Sequence, residues 1–450
     1  MGRPKLSHFF SAGNVVLKTL SPASSSAVSH RDVACPFCGL LCDDLTIRTD
    51  QLRVTPTANA CPKALAAYAA ADPVGQALIK GRPATLDQAM QHAIRLLKQS
   101  TRPLLAGLGT DVAGLRATFA LAEKCHAMVD HLHSASLNLN LRVLQSRGWH
   151  TTTLSEVRNR ADLIVLVGVD LNVNFQNFVP RCLAPADVLQ PARRAARRLV
   201  YLGPARQAPA DHTGVPLEVI ACPMPALTST VRALQGLVSG QRLSLARGKR
   251  QAALVVLAER IKAAEYAVFV WAPGQLPAHG DLTISAVCEL VADINRTRRA
   301  AGLALGGDDG AQSALAVSSW LTGFPSGVSF AGGQLQYSAG ALTTSRILAD
   351  KLADLVVFIT SFSRREPPLT SLPTIVLSPP GWANAASSTR AEARAEVRAE
   401  VYLPVGIPGI DHAGQLVRTD GEVTLPLKSL RDSGLPSVAQ LLARLREGLK

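Results

Sequence analysis

Asp162-Leu163-Ile164-Val165-Leu166-Val167-Gly168 is apolar at every position between its opening acid and its closing glycine. A strand with one wet face alternates apolar and polar residues, so an unbroken apolar run of this length reads as a strand buried on both faces. The same pattern recurs on either side of it. Pro103-Leu104-Leu105-Ala106-Gly107 and Leu199-Val200-Tyr201-Leu202-Gly203 repeat it, as do Ala267-Val268-Phe269-Val270-Trp271, Leu355-Val356-Val357-Phe358-Ile359 and Thr374-Ile375-Val376-Leu377.

Between these runs lie helical patterns. Thr85-Leu86-Asp87-Gln88 reads as a capping box, followed by Leu86, Met90, Ile94 and Leu97 on one helical face. A second helix is expected near 111–129. A third, near 248–265, turns Leu254, Leu257 and Ile261 toward a core and marks a boundary between two units. Buried strands alternating with helices predict an α/β fold with parallel sheets.

The chain has 450 residues, 47% of them hydrophobic, which suits more than one packed unit. No apolar stretch reaches the roughly 18 residues of a membrane span. Residues 1–33 mix Ser, Pro, His and basic residues, and Lys18 interrupts the short run Val15-Val16-Leu17, so a disordered tail is expected rather than an export signal. A cytoplasmic location follows, where cysteines serve as ligands more often than as disulfides. Lys and Arg number 47 against 33 Asp and Glu, a formal charge of +14. Such a charge favours anionic partners. Aromatics at 4% leave few platforms for stacking bases, and no nucleic-acid-binding motif is present, so an acidic subunit or anionic coenzyme fits better than nucleic acid.

Cys35, Cys38 and Cys42 are spaced C-x2-C-x3-C, and Cys61 follows after a longer loop. Soft thiolates suit iron, and a tight loop of three with a distant fourth is a pattern that holds a 4Fe-4S cluster. Pro36 and Gly39 suit the turn. Structural zinc and unligated thiols remain open, although zinc favours two separated C-x2-C pairs. Cys125, Cys182, Cys222 and Cys288 stand alone and are expected to pack as small hydrophobes.

Cys35-Pro36-Phe37-Cys38-Gly39-Leu40-Leu41-Cys42-Asp43-Asp44 resembles the amino-terminal motif of formylmethanofuran dehydrogenase B subunits, members of the molybdopterin oxidoreductase superfamily. Cys61-Pro62-Lys63 is similar to the fourth ligand and the Lys that follows it. Three further blocks extend the likeness in order: Thr153–Asp162, Ser319–Pro325, and Gly409–Gly414 with Arg418–Asp420. The resemblance implies Rossmann-like parallel-sheet domains behind a small cysteine-cluster segment. The implied units are 34–78 for the iron–sulfur-type segment, 79–135 with 255–400 for a discontinuous first domain, 136–254 for an inserted domain, and 401–450 for closing strands and a helix. It further implies that Cys35, Cys38, Cys42 and Cys61 hold the cluster and that Lys63 lies between cluster and pterin.

One departure governs the functional reading. The family's Cys or selenocysteine ligand to molybdenum or tungsten falls, in register, near Ser136, within Ser134-Ala135-Ser136-Leu137-Asn138-Leu139-Asn140. That stretch contains no Cys. The pattern resembles the bacterial counterpart, the formyltransferase/hydrolase complex of methylotrophs, which takes formyl-tetrahydromethanopterin to formate during formaldehyde oxidation. The resemblance implies a structural, redox-inactive member of that complex, with no catalytic residue of its own and without molybdopterin or tungstopterin. Its implied partners are the sister A, C and D subunits and an anionic methanofuran-like coenzyme on the complex, with no membrane. The alternative is an active molybdenum or tungsten dehydrogenase.

Other motifs carry less. His131-x-His133 could begin a zinc hydrolase site, but no later His and Asp set completes it, and ordinary loop histidines fit as well. Gly107-Leu108-Gly109-Thr110 falls short of a dinucleotide fingerprint and reads as a tight strand-to-helix turn. Arg193, Arg194, Arg197 and Arg198 read as a solvated helix face, with phosphate contact the rival. Arg390 to Glu400 alternates charge every second residue and is expected as a solvated loop entering a strand, with partner docking as the other use.

Overall fold

The computed structural model describes residues 27–185, 187–210, 214–241, 248–338, 340–382 and 399–450. These residues form two large sheets and two small ones. The amino-terminal small sheet is antiparallel and pairs Val28–Val33, Leu45–Asp50 and Arg53–Ala58 in that order. The tail expected over 1–33 is therefore ordered at its end: Val33 is buried, and Lys428 Nζ donates to Arg31 O at 2.8 Å.

The larger sheet has Pro103–Gly109 and Leu355–Thr360 side by side at its centre. Met128–His131 flanks the first, and Thr374–Ser378 followed by Val401–Pro404 flanks the second, all parallel. Antiparallel strands close both edges. The predicted buried runs occupy the middle, where side chains on both faces are covered. The helices Leu86–Gln99 and Val112–Lys124 pack with the carboxy-terminal Val438–Gly448 against one face. Thr85 and Gln88 form the predicted capping box, and Met90 and Leu97 are buried.

The second sheet has five parallel strands. Leu163–Val167 is central, with Arg198–Gly203 and Leu217–Ala221 to one side and Tyr266–Trp271 and Arg299–Ala304 to the other. This moves the expected boundary. Tyr266–Trp271, expected with 255–400 in the first unit, pairs instead with Leu163–Val167. The helix Lys249–Ala263, which buries Leu254, Leu257 and Ile261 as expected, is a connection inside the inserted unit rather than its end. Nothing in apolar patterning distinguishes a strand that joins one buried sheet from a strand that joins another.

A hairpin of Gly414–Val417 and Thr424–Leu427 packs where the two large sheets and the amino-terminal segment meet. No described helix is long and apolar enough to cross a membrane. Arg390 to Arg398 of the charge-alternating segment lies outside the described residues. Glu400, just before the strand Val401–Pro404, receives His92 and Lys80.

Candidate functional site

The thiol loop is folded back on itself. Cys35 N donates to Cys42 O at 2.8 Å and Leu41 N to Cys38 O at 3.2 Å, with Leu41 in the left-handed region. Cys61 sits just before the helix Pro62–Ala69, whose first residue is the helix-starting Pro62. Cys35, Cys38 and Cys42 are buried and Cys61 is partly so. Burial pushes the Cys35 thiol well up, and the nearby Cys38, Cys42 and Cys61 push it further. Burial also pushes Cys38 up to about 12, helped by the charge of Asp308, and raises Cys42 against the pull of Arg181 and Asn177. Cys35, Cys38 and Cys42 share one buried region, and Cys61 is near enough to act on Cys35 and Cys42.

Among the described residues no three His, Cys, Asp or Glu side chains converge on a point suited to one metal ion. Thiolates are soft donors of the kind that iron takes.

Neighbours hold the loop in place. A Cβ at Gly39 would fall 1.7 Å from Gly306 O, so only glycine permits this contact. Thr419 N donates to Gly39 O, and Gly306 N donates to Thr419 Oγ1, both at 2.8 Å. The Asp43-Asp44 pair meets Arg181 from the inserted unit, at 2.5 Å for Asp43. Asn177 Nδ2 lies 3.7 Å from Cys42 Sγ as its donor. The double Asp therefore clamps the thiol loop to the inserted unit.

Lys63 reaches the loop Gly306-Gly307-Asp308-Asp309-Gly310. Its Nζ donates to Asp308 Oδ2 and Asn174 Oδ1, each at 2.9 Å, and Asn174 Nδ2 donates to the same Asp308 oxygen. Asp309 is buried and points the other way. Its Oδ1 accepts from Ser363 Oγ at 2.6 Å, and its Oδ2 accepts from Arg365 Nη2 at 3.3 Å and lies 3.2 Å from His133 Nε2. Burial works against this carboxylate, but the hydrogen bonds from His133 and Ser363 and the charge of Arg365 outweigh it, and its pKa falls far below the ordinary range.

His131 Nδ1 accepts from His133 N at 3.0 Å, which leaves Nε2 to carry the proton and donate to Asp309 O at 3.1 Å. The two histidines thus secure Asp309 and do not form a hydrolase site. Ser136 Oγ donates to His133 O at 2.8 Å in the first turn of the helix Ser134–Arg147.

In open parallel sheets ligands bind beyond the strand ends where successive connections leave in opposite directions. The smaller sheet has such a point between Leu163–Val167 and Tyr266–Trp271. Gln275 fills it: its Oε1 accepts from Asp170 N at 2.7 Å and its Nε2 donates to Asp170 O at 3.1 Å. In the larger sheet the point lies between Pro103–Gly109 and Leu355–Thr360, and Asp309 lies there.

Two of the clustered arginines, Arg194 and Arg197, are turned inward, while Arg198 is exposed as expected. Arg197 is 1% exposed and donates to the carbonyls of Ala161, Leu183, Val157 and Arg158, and Arg194 donates to Ala184 and Pro185. Both satisfy carbonyls at the ends of short helical segments. Sequence reasoning missed Asp308 and Asp309. The run Gly-Gly-Asp-Asp-Gly after a buried strand was the available signal.

The two-sheet α/β chain, with its cysteines at the amino-terminal junction, resembles known B subunits in sequence and in fold. The chain is similar to B subunits of formylmethanofuran dehydrogenases over nearly its whole length. It is 26% identical over 426 residues to the B subunit of tungsten-containing formylmethanofuran dehydrogenase 2 of Methanocaldococcus jannaschii, covering 89% of this chain and 94% of that one. The corresponding protein of Methanococcus maripaludis is 23% identical over 435 residues, covering 92% and 97%.

The chain is also similar to the B subunit of the formyltransferase/hydrolase complex Fhc of Methylorubrum extorquens, at 29% identity over 381 residues, 83% of this chain and 98% of that one. The crystal structure of the FhcABCD complex with methylofuran, from the same organism, contains a chain that superposes with a TM-score of 0.68 at 28% identity, again covering 83% and 98%. No family model matches the chain.

Proposed function

We propose that this chain is the B subunit of a cytoplasmic formyltransferase/hydrolase complex in tetrahydromethanopterin-linked one-carbon metabolism, with a structural and redox-inactive role. The observation that carries this reading is the likeness to the Fhc B subunit in sequence and in fold, spanning 98% of that protein. In that role the chain meets the sister A, C and D subunits, and its charge of +14 suits a complex that handles an anionic methanofuran-like coenzyme.

Redox inactivity rests on the Ser134–Arg147 helix. It carries no thiol where the family's heavy-metal ligand falls, and the Ser136 hydroxyl is committed to His133 O. The residues around the larger sheet's crevice do not fit a pterin phosphate either, because a carboxylate already takes their hydrogen bonds. Cys35, Cys38, Cys42 and Cys61 would hold a 4Fe-4S cluster with Lys63 beside it. Such a group would supply folding energy, less the cost of deprotonating thiols that burial keeps protonated. The chain's own residues shield this pocket and fix the loop through Gly39, Asp43 and Asp44.

Affinity purification of the tagged chain from its native host tests the reading. Retention of formyltransferase and hydrolase subunits with formate release from formyl-tetrahydromethanopterin is expected. Viologen-linked dehydrogenase activity with stoichiometric tungsten or molybdenum contradicts it.

A further inference from the structure

The loop Gly306–Gly310 is strained and pressed inward. Gly307 and Gly310 have φ of 89° and 71°, and Asp309 between them adopts φ 51° and ψ 34°, a conformation that costs a non-glycine residue energy. A Cβ at Gly310 would meet Thr110 O at 2.6 Å, and one at Gly109 would lie 3.6 Å from Asp309 Cβ, so the loop touches the ends of the central strands. What offsets the strain is the set of donors around the carboxylate: the Ser363 hydroxyl, the Arg365 guanidinium and the His133 ring, drawn from two different strand ends. Donors from several elements converging at a sheet's topological switch point are the arrangement that receives an anionic ligand. Here the anion comes from the chain itself. One residue earlier, Asp308 does the same for Lys63 and Asn174 on the cysteine side of the loop.

We infer that the Gly306–Gly310 loop is an internal anionic plug, with the Asp309 carboxylate occupying an oxyanion site built from Ser363, Arg365 and His133 and closing the crevice of the larger sheet to external phosphate. The plug holds or fails on this chain alone, whether or not the chain joins a complex. Removing the carboxylate should leave a vacant site of unchanged donors, which a phosphate group then fills. Asp309→Gly suits this purpose, since glycine also relieves the left-handed backbone.

The probe is inorganic pyrophosphate, titrated into the full chain while the melting temperature is followed against chloride at equal ionic strength. The wild type should show no saturable response. Asp309→Gly should melt lower and regain stability saturably, by about 3 °C at high excess. The double variant Asp309→Gly/Arg365→Ala should lose that gain. If Asp309→Gly does not fold in chloride, refolding in pyrophosphate carries the same meaning, and failure to refold there counts against the plug. A pyrophosphate response in the wild type that disappears in Arg365→Ala, or no response in Asp309→Gly, overturns the inference.

Discussion

Asp130 and His131 are neighbours at the end of the strand Met128–His131, both are buried, and they should oppose each other in their effect on stability with pH. Burial raises the Asp130 carboxyl to about 6, although Thr344 and Ser134 donate to its Oδ2, and its Oδ1 has no partner. Burial lowers His131 to about 4, reinforced by His133. For Asp130 the folded state binds the proton more tightly than the unfolded state, so stability falls as pH rises from about 4 to 6 and the cost is complete above that. For His131 the unfolded state binds more protons between about 4 and 6.5, so its stability is present above 6.5 and is lost as pH falls toward 4.

Each shift is worth roughly 3 kcal/mol at about 1.4 kcal/mol per unit, with opposite signs. The two effects nearly cancel in the wild type. His131→Asn keeps an acceptor for His133 N but removes the titration, so the variant should gain stability, relative to wild type, as pH falls. Asp130→Asn should do the reverse and become relatively acid-labile. For a chain of this length each difference amounts to roughly 3 °C in melting temperature across the window. Thermal unfolding of both variants and the wild type in matched buffers from about pH 4.5 to 7.5 measures it. Parallel profiles in the two variants, or slopes of reversed sign, would refute the reasoning.

Arg197→Met should destabilise the protein by about 3 kcal/mol, read as a drop in the denaturation midpoint, because carbonyls of Ala161, Leu183, Val157 and Arg158 lose a shared buried donor. Gly39→Ala forces a methyl group onto Gly306 O, so it should separate the thiol loop from that backbone. Iron taken up on anaerobic reconstitution should fall by more than half, whereas Gly340→Ala, at a site with open space, should leave it unchanged.

The buried runs were legible because a strand covered on both faces has few polar residues, and each of those predicted in the sequence lies in one of the two large sheets. The loop of Cys35, Cys38 and Cys42 was legible because its spacing is local, whereas Cys61 comes from another part of the chain. Val28–Val33 was not: its sequence VSHRDV is mostly polar, and its strand exists through pairing with Leu45–Asp50 and the reach of Lys428. Arg197 read as surface because charge alone does not announce that four carbonyls will surround it. Asp309 was hidden for the same reason, since its partners His133, Ser363 and Arg365 come from distant parts of the chain. The inserted unit's boundary escaped because sheet membership is a long-range choice among similar strands.

That this chain keeps the B-subunit fold and thiol pocket without heavy-metal redox chemistry is tested most directly by elemental analysis. The complex is purified anaerobically through this chain, and iron, sulfide, tungsten and molybdenum are measured on one sample. About four iron per chain and neither heavy metal are predicted; a full equivalent of tungsten or molybdenum, released with a pterin, would contradict the claim.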